Sequence, residues 1–328
     1  MVEQVQKFYD RYPYPLAEVK TNSNLNGATL FSFLDYELRA KGFNGKTFLD
    51  AGCGTGHRIL DVAKAFPHAN FLAFDLSPKS IELAKQQAAK DQVTNIEFHT
   101  NNIIEYETEQ LFDIIIANGV IHHLSQPDRG IKNLTRFLKE DGLFVAFTLH
   151  TYGEYYKMLQ RELLLTLLGQ QKHDFEAGVG LMREMGFSIS QNRYGKGYSN
   201  DLTENDQLSK DADALLTPQL STFTFQEAIE LFKTANLDWV AIEQIIWQET
   251  AHTLSLDADN KKPFWVLDIK SLLKSETAYI YYQNLNKLDK LHIIELMTNP
   301  TGFSILAGKS NSLALNSKRI RENSIPLK

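Results

Sequence analysis

The sequence predicts an α/β protein, a doubly wound parallel sheet with helices on both faces. Strand-like apolar runs alternate with helix-spaced segments from Lys46 to His150. The first of these runs ends in a glycine-rich loop, and polar residues close the next two. The run Phe48-Leu49-Asp50 leads into Ala51-Gly52-Cys53-Gly54-Thr55-Gly56. His57 to Phe66 then sets Ile59, Leu60, Val62, Ala63 and Phe66 at helical spacing, and Pro67 stops it. Asn70 to Leu76 reads as a strand closing on Asp75. Ser77-Pro78 caps and opens the next helix, with Ile81, Ala84 and Ala88 along one face. Ile96 to Thr100 gives a third strand, followed by Asn101-Asn102. Leu111 to Ala117 is a buried strand before Asn118-Gly119-Val120-Ile121-His122-His123-Leu124. A helix over Asp128 to Leu138 presents Ile131, Leu134, Phe137 and Leu138. Asp141-Gly142 turns the chain into a strand over Leu143 to Leu149.

The glycine loop carries the first chemical signal. Glycine has no side chain to clash and takes positive φ freely, so such a backbone can pass close beneath a ligand. A dinucleotide loop reads G-x-G-x-x-G and seats a pyrophosphate on a helix N-terminus. This loop reads G-x-G-x-G with Asp50 at its entry. A carboxylate there is unsuited to a phosphate and suited to a cation, which favours a ligand bearing an amine and a sulfonium. S-adenosylmethionine (SAM) is such a ligand. Asp75, at the end of the second strand, can accept both ribose hydroxyls of a nucleoside.

In the order and spacing of these segments, Lys46 to His150 resembles the class I SAM-dependent methyltransferases. Phe48 to Gly56 is similar to that family's first motif, and Asp75 matches its ribose-holding acid. Phe112-Asp113 through His122-His123-Leu124 resembles a later motif, and Leu138 to Gly142 the turn before the fifth strand. The resemblance implies a Rossmann-like seven-stranded sheet, SAM as cofactor and methyl transfer as the reaction. It implies cofactor contacts at Asp50, Gly52, Gly54, Gly56, Asp75, Leu76, Asn102 and Asn118. Asn102 stands where the family commonly has an Asp that accepts from the adenine amino group, and an amide oxygen accepts the same bond. Asn118-Gly119-Val120-Ile121 lacks the Pro-Pro-aromatic pattern associated with methylation of base amino groups.

Phe8-Tyr9-Asp10-Arg11-Tyr12-Pro13-Tyr14-Pro15 resembles the opening of a bacterial methyltransferase group, some members of which carry helical repeats. Pro13 and Pro15 end the helix that Val2 to Arg11 would form and favour an extended path. Two readings stay open: the arm folds over the cofactor cleft, or it packs on the sheet edge. Tyr9, Tyr14 and Tyr152 are candidate substrate contacts.

Five segments result: an N-terminal arm over 1–30, the SAM-binding core over 31–150, a lid over 151–216, the rest of the sheet over 217–308, and a frayed tail over 309–328. Tyr152 to Leu168 is a helix with an apolar face of Tyr155, Leu159, Leu163 and Leu167. Gln170 to Leu216 mixes Gly178, Gly180, Gly186, Gly195 and Gly197 with a polar run over Ser199 to Asp213, as a partly mobile lid does. Arg183 and Arg193 are candidates to meet an acidic substrate. Thr222 to Ala235 reads as a helix capped by Thr224, and Leu237 to Trp247 as the sixth strand. Helices follow over Pro263 to Met297. The seventh strand, antiparallel beside the sixth, lies at Gly302 to Leu306 or, alternatively, at Phe264 to Ile269. The tail from Ser310 is polar.

At 328 residues, one catalytic core plus a second lobe is the natural expectation. The apolar share of 43% and charged share of 23% are ordinary for a folded soluble chain. No long apolar run or charged-then-apolar leader is present, so no membrane span is expected and the cytoplasm is the expected location. The single cysteine, Cys53, excludes an internal disulfide, fits that compartment, and reads as a small residue of the loop. A net charge of −6 argues against general nucleic-acid binding.

A sulfonium methyl is already activated, so orientation does most of the work, on the order of 7–11 kcal/mol in favourable cases. A hydroxyl nucleophile gains from a general base, and His122 or His123, just past the fourth strand, can serve. No spaced partner completes a metal site around that pair. The sequence predicts a SAM-dependent methyltransferase acting on a small molecule or a protein side chain. The alternatives are a non-catalytic SAM-binding module and, less favoured by the loop spacing, a nucleotide-dependent oxidoreductase. Neither the acceptor nor the oligomeric state is legible.

Overall fold

Alternation of period-two and period-3.6 segments builds one sheet with a helical lobe over its ligand-binding edge. The computed structural model describes residues 2–15, 31, 34, 43–187, 204–256 and 266–328. The arm begins with α1 (Val2–Arg11). The core follows as β1 (Thr47–Ala51), α2 (His57–Ala65), β2 (Asn70–Asp75), α3 (Pro78–Lys90), β3 (Ile96–Thr100), β4 (Phe112–Asn118), α4 (Pro127–Thr135) and β5 (Leu138–Leu149). Next come α5 (Tyr155–Leu168), α6 (Phe175–Glu184), α7 (Glu204–Leu215), α8 (Phe225–Phe232), β6 (Trp239–Trp247) and β7 (Thr250–Thr253). The chain closes with α9 (Ile269–Leu273), α10 (Glu276–Gln283), α11 (Lys287–Thr298), β8 (Gly302–Gly308), α12 (Lys318–Asn323) and β9 (Ile325–Pro326).

The strand order is β3-β2-β1-β4-β5-β8-β6-β7, with β9 beside β6. β1 pairs parallel with β2 and β4, and the order reverses there. An open sheet binds its ligand in the crevice outside the carboxyl ends of the strands at such a switch point. Successive side chains of a strand face opposite layers. Leu49 and Ile115 accordingly enter one apolar layer, while Phe48 and Ile114 enter the other. Gly302–Gly308 inserts antiparallel between β5 and β6, so it is the seventh strand. In the alternative segment, 264–265 lie outside the described residues, Val266 makes an isolated bridge to Thr253, and Ile269 opens α9. Two short strands, β7 and β9, enlarge the expected seven to nine among the described residues.

The helix after β5 corrects the expected burial. Tyr155, Leu159, Leu163 and Leu167 are exposed, whereas Arg161, Leu164 and Leu168 face inward. Arg161 hid this face from a reading of apolar spacing. Its guanidinium donates to the Leu215 and Thr217 carbonyls at 3.0 and 2.5 Å, so the charged head is satisfied inside. Leu163 is 47% exposed and Leu164 fully buried. Leu163→Gln should therefore change stability by under about 0.5 kcal/mol, while Leu164→Ala should cost about 2–5 kcal/mol, read by urea unfolding.

Phe8 of α1 and Tyr12 just past its end share an apolar cluster with Leu164 and Leu168 of α5, Val179 and Met182 of α6, and Leu215. Arm and lid are thus one lobe with one core. The described part of the lid is helical, and Gly178 and Gly180 lie within α6. Arg193, Gly195, Gly197 and 199–203 lie outside the described residues. Thr224 caps α8 through a capping box with Glu227, as its sequence position predicts.

The final segment is folded rather than frayed. Ala314, Ile320 and Ile325 are buried, and β9 pairs with β6. Its polarity misleads because one of its charged residues is consumed internally: Arg319 pairs with the buried Glu243 on β6.

Candidate active site

A cleft of about 470 Å³ opens at the carboxyl ends of β1 to β4 and is roofed by α1, α5 and α7. Asp50, Gly52 and Gly54 line it at the end of β1 and just past it, Asp75 and Leu76 at the end of β2, Asn102 past β3, and Asn118 at the end of β4. Gly56 does not. It takes φ +76° at the start of α2, and a Cβ there would come within 2.9 Å of Ala84 and 3.1 Å of Phe98. Its bareness serves helix packing rather than ligand approach.

Gly54 answers to the arm. At φ +55° its missing Cβ is the space that the Tyr14 carbonyl occupies, and Thr55 donates its hydroxyl proton to the Pro15 carbonyl. Ser77, the cap of α3, donates to Asp10 Oδ1 at 2.6 Å. The arm therefore lies across the cleft, and the sheet-edge reading is excluded for the described residues.

Asp75 accepts from the backbone N–H groups of Gly54 at 2.8 Å and Ser77 at 2.9 Å, which fixes its carboxylate at the cleft wall. Burial raises its pKa above the usual carboxylate range. Asn102 Oδ1 accepts from Ile104 N–H at 3.0 Å and keeps a second lone pair. Asp50 is different. It is 5% exposed, and its Oδ1 has no hydrogen-bond partner among the described residues. Burial pushes its pKa up to about 7, against the opposing pull of Arg58. An orphaned buried acceptor in a cleft is a vacancy for a donor, and a cationic ammonium satisfies it best.

Both histidines reach the cleft from the turn after β4. His122 Nδ1 stands 3.3 Å from Thr148 Oγ1, and burial holds the ring well below its usual pKa. His123 Nδ1 lies 2.9 Å from the Gln219 carbonyl, and Nε2 lies 3.2 Å from the Tyr9 hydroxyl. Tyr9 donates to Asp213 Oδ1 at 2.7 Å. Tyr14 also lines the cleft, whereas Tyr152 does not. Tyr152 packs its ring against His150 and donates its N–H to His150 Nδ1. The structure therefore does not bring it together with Tyr9 and Tyr14.

Sequence reading missed Asp213, Asp10 and Arg58. Asp213 sits in a polar stretch read as mobile. A usable signal existed in Val5 and Phe8, whose helical spacing marks a buried face of α1 that Tyr12 continues past its end, and which brings Tyr9 inward beside it. Cys53 lines the cleft, and burial, with the carboxylates of Asp50 and Asp75, pushes its thiol well up. It is not poised as a thiolate. Among the described residues no His, Cys, Asp or Glu cluster can hold a metal ion. No described helix is long and apolar enough to cross a membrane.

Residues 43–177 match the family model described as a methyltransferase domain. They form a methyltransferase domain. The methyltransferase domain is 31% identical over 135 residues to the malonyl-[acyl-carrier protein] O-methyltransferase of Bacillus anthracis, covering 40% of this chain and 48% of that protein. The chain thus spans about half the length of that relative. An uncharacterized protein of Synechococcus sp. is 24% identical over 322 residues, which is 94% of this chain and 72% of that one. PKMT2 from Rickettsia typhi, solved in complex with AdoHcy, shares the fold at a TM-score of 0.55 and 19% identity, over 87% of this chain and 54% of that one.

Proposed function

We propose that the protein transfers the methyl group of SAM to a small molecule or a protein side chain. The observation that carries this reading is Asp50, whose buried, unpartnered oxygen sits beside a glycine loop and is matched by the ammonium of SAM. In this reading Arg58 faces the carboxylate at the same end of the cofactor, Asp75 takes the ribose hydroxyls, and Asn102 the adenine amino group. Leu76, Asn118 and the backbone at Gly52 and Gly54 complete its seat. When bound, the cofactor supplies an activated methyl group. The chain's own task is to hold a nucleophile in line, exclude water and receive its proton. α1, α5 and α7 shield the cleft. His123 is favoured over His122 as the proton acceptor, because its Nε2 faces Tyr9 in the cleft, while His122 is the more strongly held neutral by burial.

The same reading places the arm from Phe8 to Pro15 with the bacterial methyltransferase group its sequence resembles. It leaves hydroxyl-bearing small molecules and amines as acceptors for a first screen, the groups named by the O- and N-methyltransferases among its relatives.

Calorimetric titration with SAM and S-adenosylhomocysteine tests the cofactor. Asp75→Ala should weaken binding at least about tenfold through lost hydrogen bonds to charged oxygen. Gly54→Val, which displaces the arm from the loop, should abolish measurable binding. Full affinity in both folded variants would refute the assignment.

A further inference from the structure

We propose that Tyr9, His123 and Asp213 form a proton-accepting relay, with Asp213 the positioning residue that orients it. The inference rests on the methyl-transfer reading and deepens it, because it confines the acceptor to a group that sheds a proton, an O–H or N–H nucleophile.

The bonding pattern leads there. The Gln219 carbonyl only accepts, so the proton of neutral His123 resides on Nδ1 and donates to it. The lone pair is then on Nε2, turned toward the cleft and 3.2 Å from Tyr9 Oη. Asp213 accepts at 2.7 Å the single proton Tyr9 has to give. Tyr9 therefore cannot also donate to Nε2 and block it. Its oxygen instead faces Nε2 as an acceptor, ready for the N–H that appears once the ring is protonated. Asp213 Oδ1 lies 3.9 Å from Nε2 and balances the resulting imidazolium.

In the step itself the acceptor's X–H bond breaks and its proton passes to His123 Nε2. The freed pair holds the new X–CH3 bond, and the pair of the broken S–CH3 bond stays on sulfur. No further co-reactant is required.

The charges around His123 support this arrangement. Burial lowers the ring, Arg161 and Lys157 of α5 lower it further, and Asp213 of α7 pulls it back up. His122 lies alongside with ring centroids 4.3 Å apart, and Tyr9 of α1 closes the remaining side. The three relay members come from the arm, the core and the lid. Docking of the helical lobe therefore completes the site.

The test is nitrogen-detected NMR titration of the histidine rings in the full chain, with His123 assigned through a His123→Asn variant. The wild type should show the Nδ1–H tautomer. In Asp213→Asn the His123 pKa should fall by about one unit, as expected when a carboxylate within 4–6 Å is lost. Affinity for S-adenosylhomocysteine should stay within about threefold of wild type. An unchanged His123 pKa in folded Asp213→Asn overturns the relay, as does loss of S-adenosylhomocysteine binding. If that variant does not fold, Tyr9→Phe serves. There the tautomer decides: with the Tyr9 hydroxyl removed the ring should keep its proton on Nδ1, bonded to the Gln219 carbonyl, and an Nε2–H ring, which has no lone pair there for the acceptor's proton, is equally fatal. Failure of wild type to bind S-adenosylhomocysteine would sink the methyl-transfer reading while leaving the His123 shift to be read by itself.

Discussion

Asp50→Asn should abolish most cofactor affinity and, in the same variant, stabilise the free protein at alkaline pH. The affinity loss follows from removing one partner of a buried charge pair, about 2–4 kcal/mol or roughly 30- to 1,000-fold in Kd. The stability gain follows from linkage. Burial raises the folded-state pKa of Asp50 from the ordinary 3.8 to about 7. Between those values the folded state holds a proton that the unfolded chain has released, so stability falls as pH rises through that window. Above about 7 the destabilisation is fully present, with an upper bound of about 4 kcal/mol at ~1.4 kcal/mol per unit. An amide cannot ionise, and the variant should lose that slope.

Cofactor binding runs the other way with pH. An ammonium needs the carboxylate form, so affinity should be full above about pH 7 and weaken below it by up to about tenfold per unit. Calorimetry on either side of neutrality checks the wild type, and Asp50→Asn should be flat. Thermal unfolding over the same range checks the stability half. Asp50→Asn that binds SAM normally would remove the ammonium from this site.

Arg319→Met should cost about 3–5 kcal/mol and release the C-terminal segment. Arg319 grips Glu243 through two bonds, Nη2 to Oε1 at 2.6 Å and Nη1 to Oε2 at 2.9 Å, and also donates to the Leu254 carbonyl at 3.0 Å. Glu243 has no exposed surface and sits where the β6–β8 register shifts between Ile242 and Gln244. A bulge there re-aims one side chain, and here it aims a carboxylate inward. Removing the guanidinium leaves that charge buried and deprived of its principal counter-charge. The double variant Glu243→Met/Arg319→Met should recover most of the loss, since replacing both members of a buried pair by apolar groups is often near neutral. Urea unfolding gives the energies, and limited proteolysis reports on 309–328. A loss below about 1 kcal/mol in Arg319→Met would mean the segment is held by its apolar residues alone.

Much of the core was legible because its signals are local. Strand period, helix period, the Ser77-Pro78 start and the glycine loop depend on neighbours a few residues away. The polypeptide encodes them wherever it is read, and Asp50, Asp75, Asn102 and Asn118 arrive at one edge as their strand ends require. The lobe was less legible for the opposite reason. Arg161 is inside and Leu163 outside because partners from Phe8 to Leu215 decide which face of α5 is covered, and those partners are remote in sequence. The tail misled for the same cause, since Arg319 looks solvent-bound until Glu243 is placed beside it.

The amino-acid sequence by itself determined the α/β alternation, the cofactor class and the strand ends that line the cleft. These follow from backbone preferences and from residue types at short spacing. Only the tertiary structure decided that the arm lies over the cleft, that arm and lid share one core, and that Asp213 stands against Tyr9 and His123. Those are contacts across 114 and 204 residues, where no local preference acts and only the packing of the whole chain selects the partner.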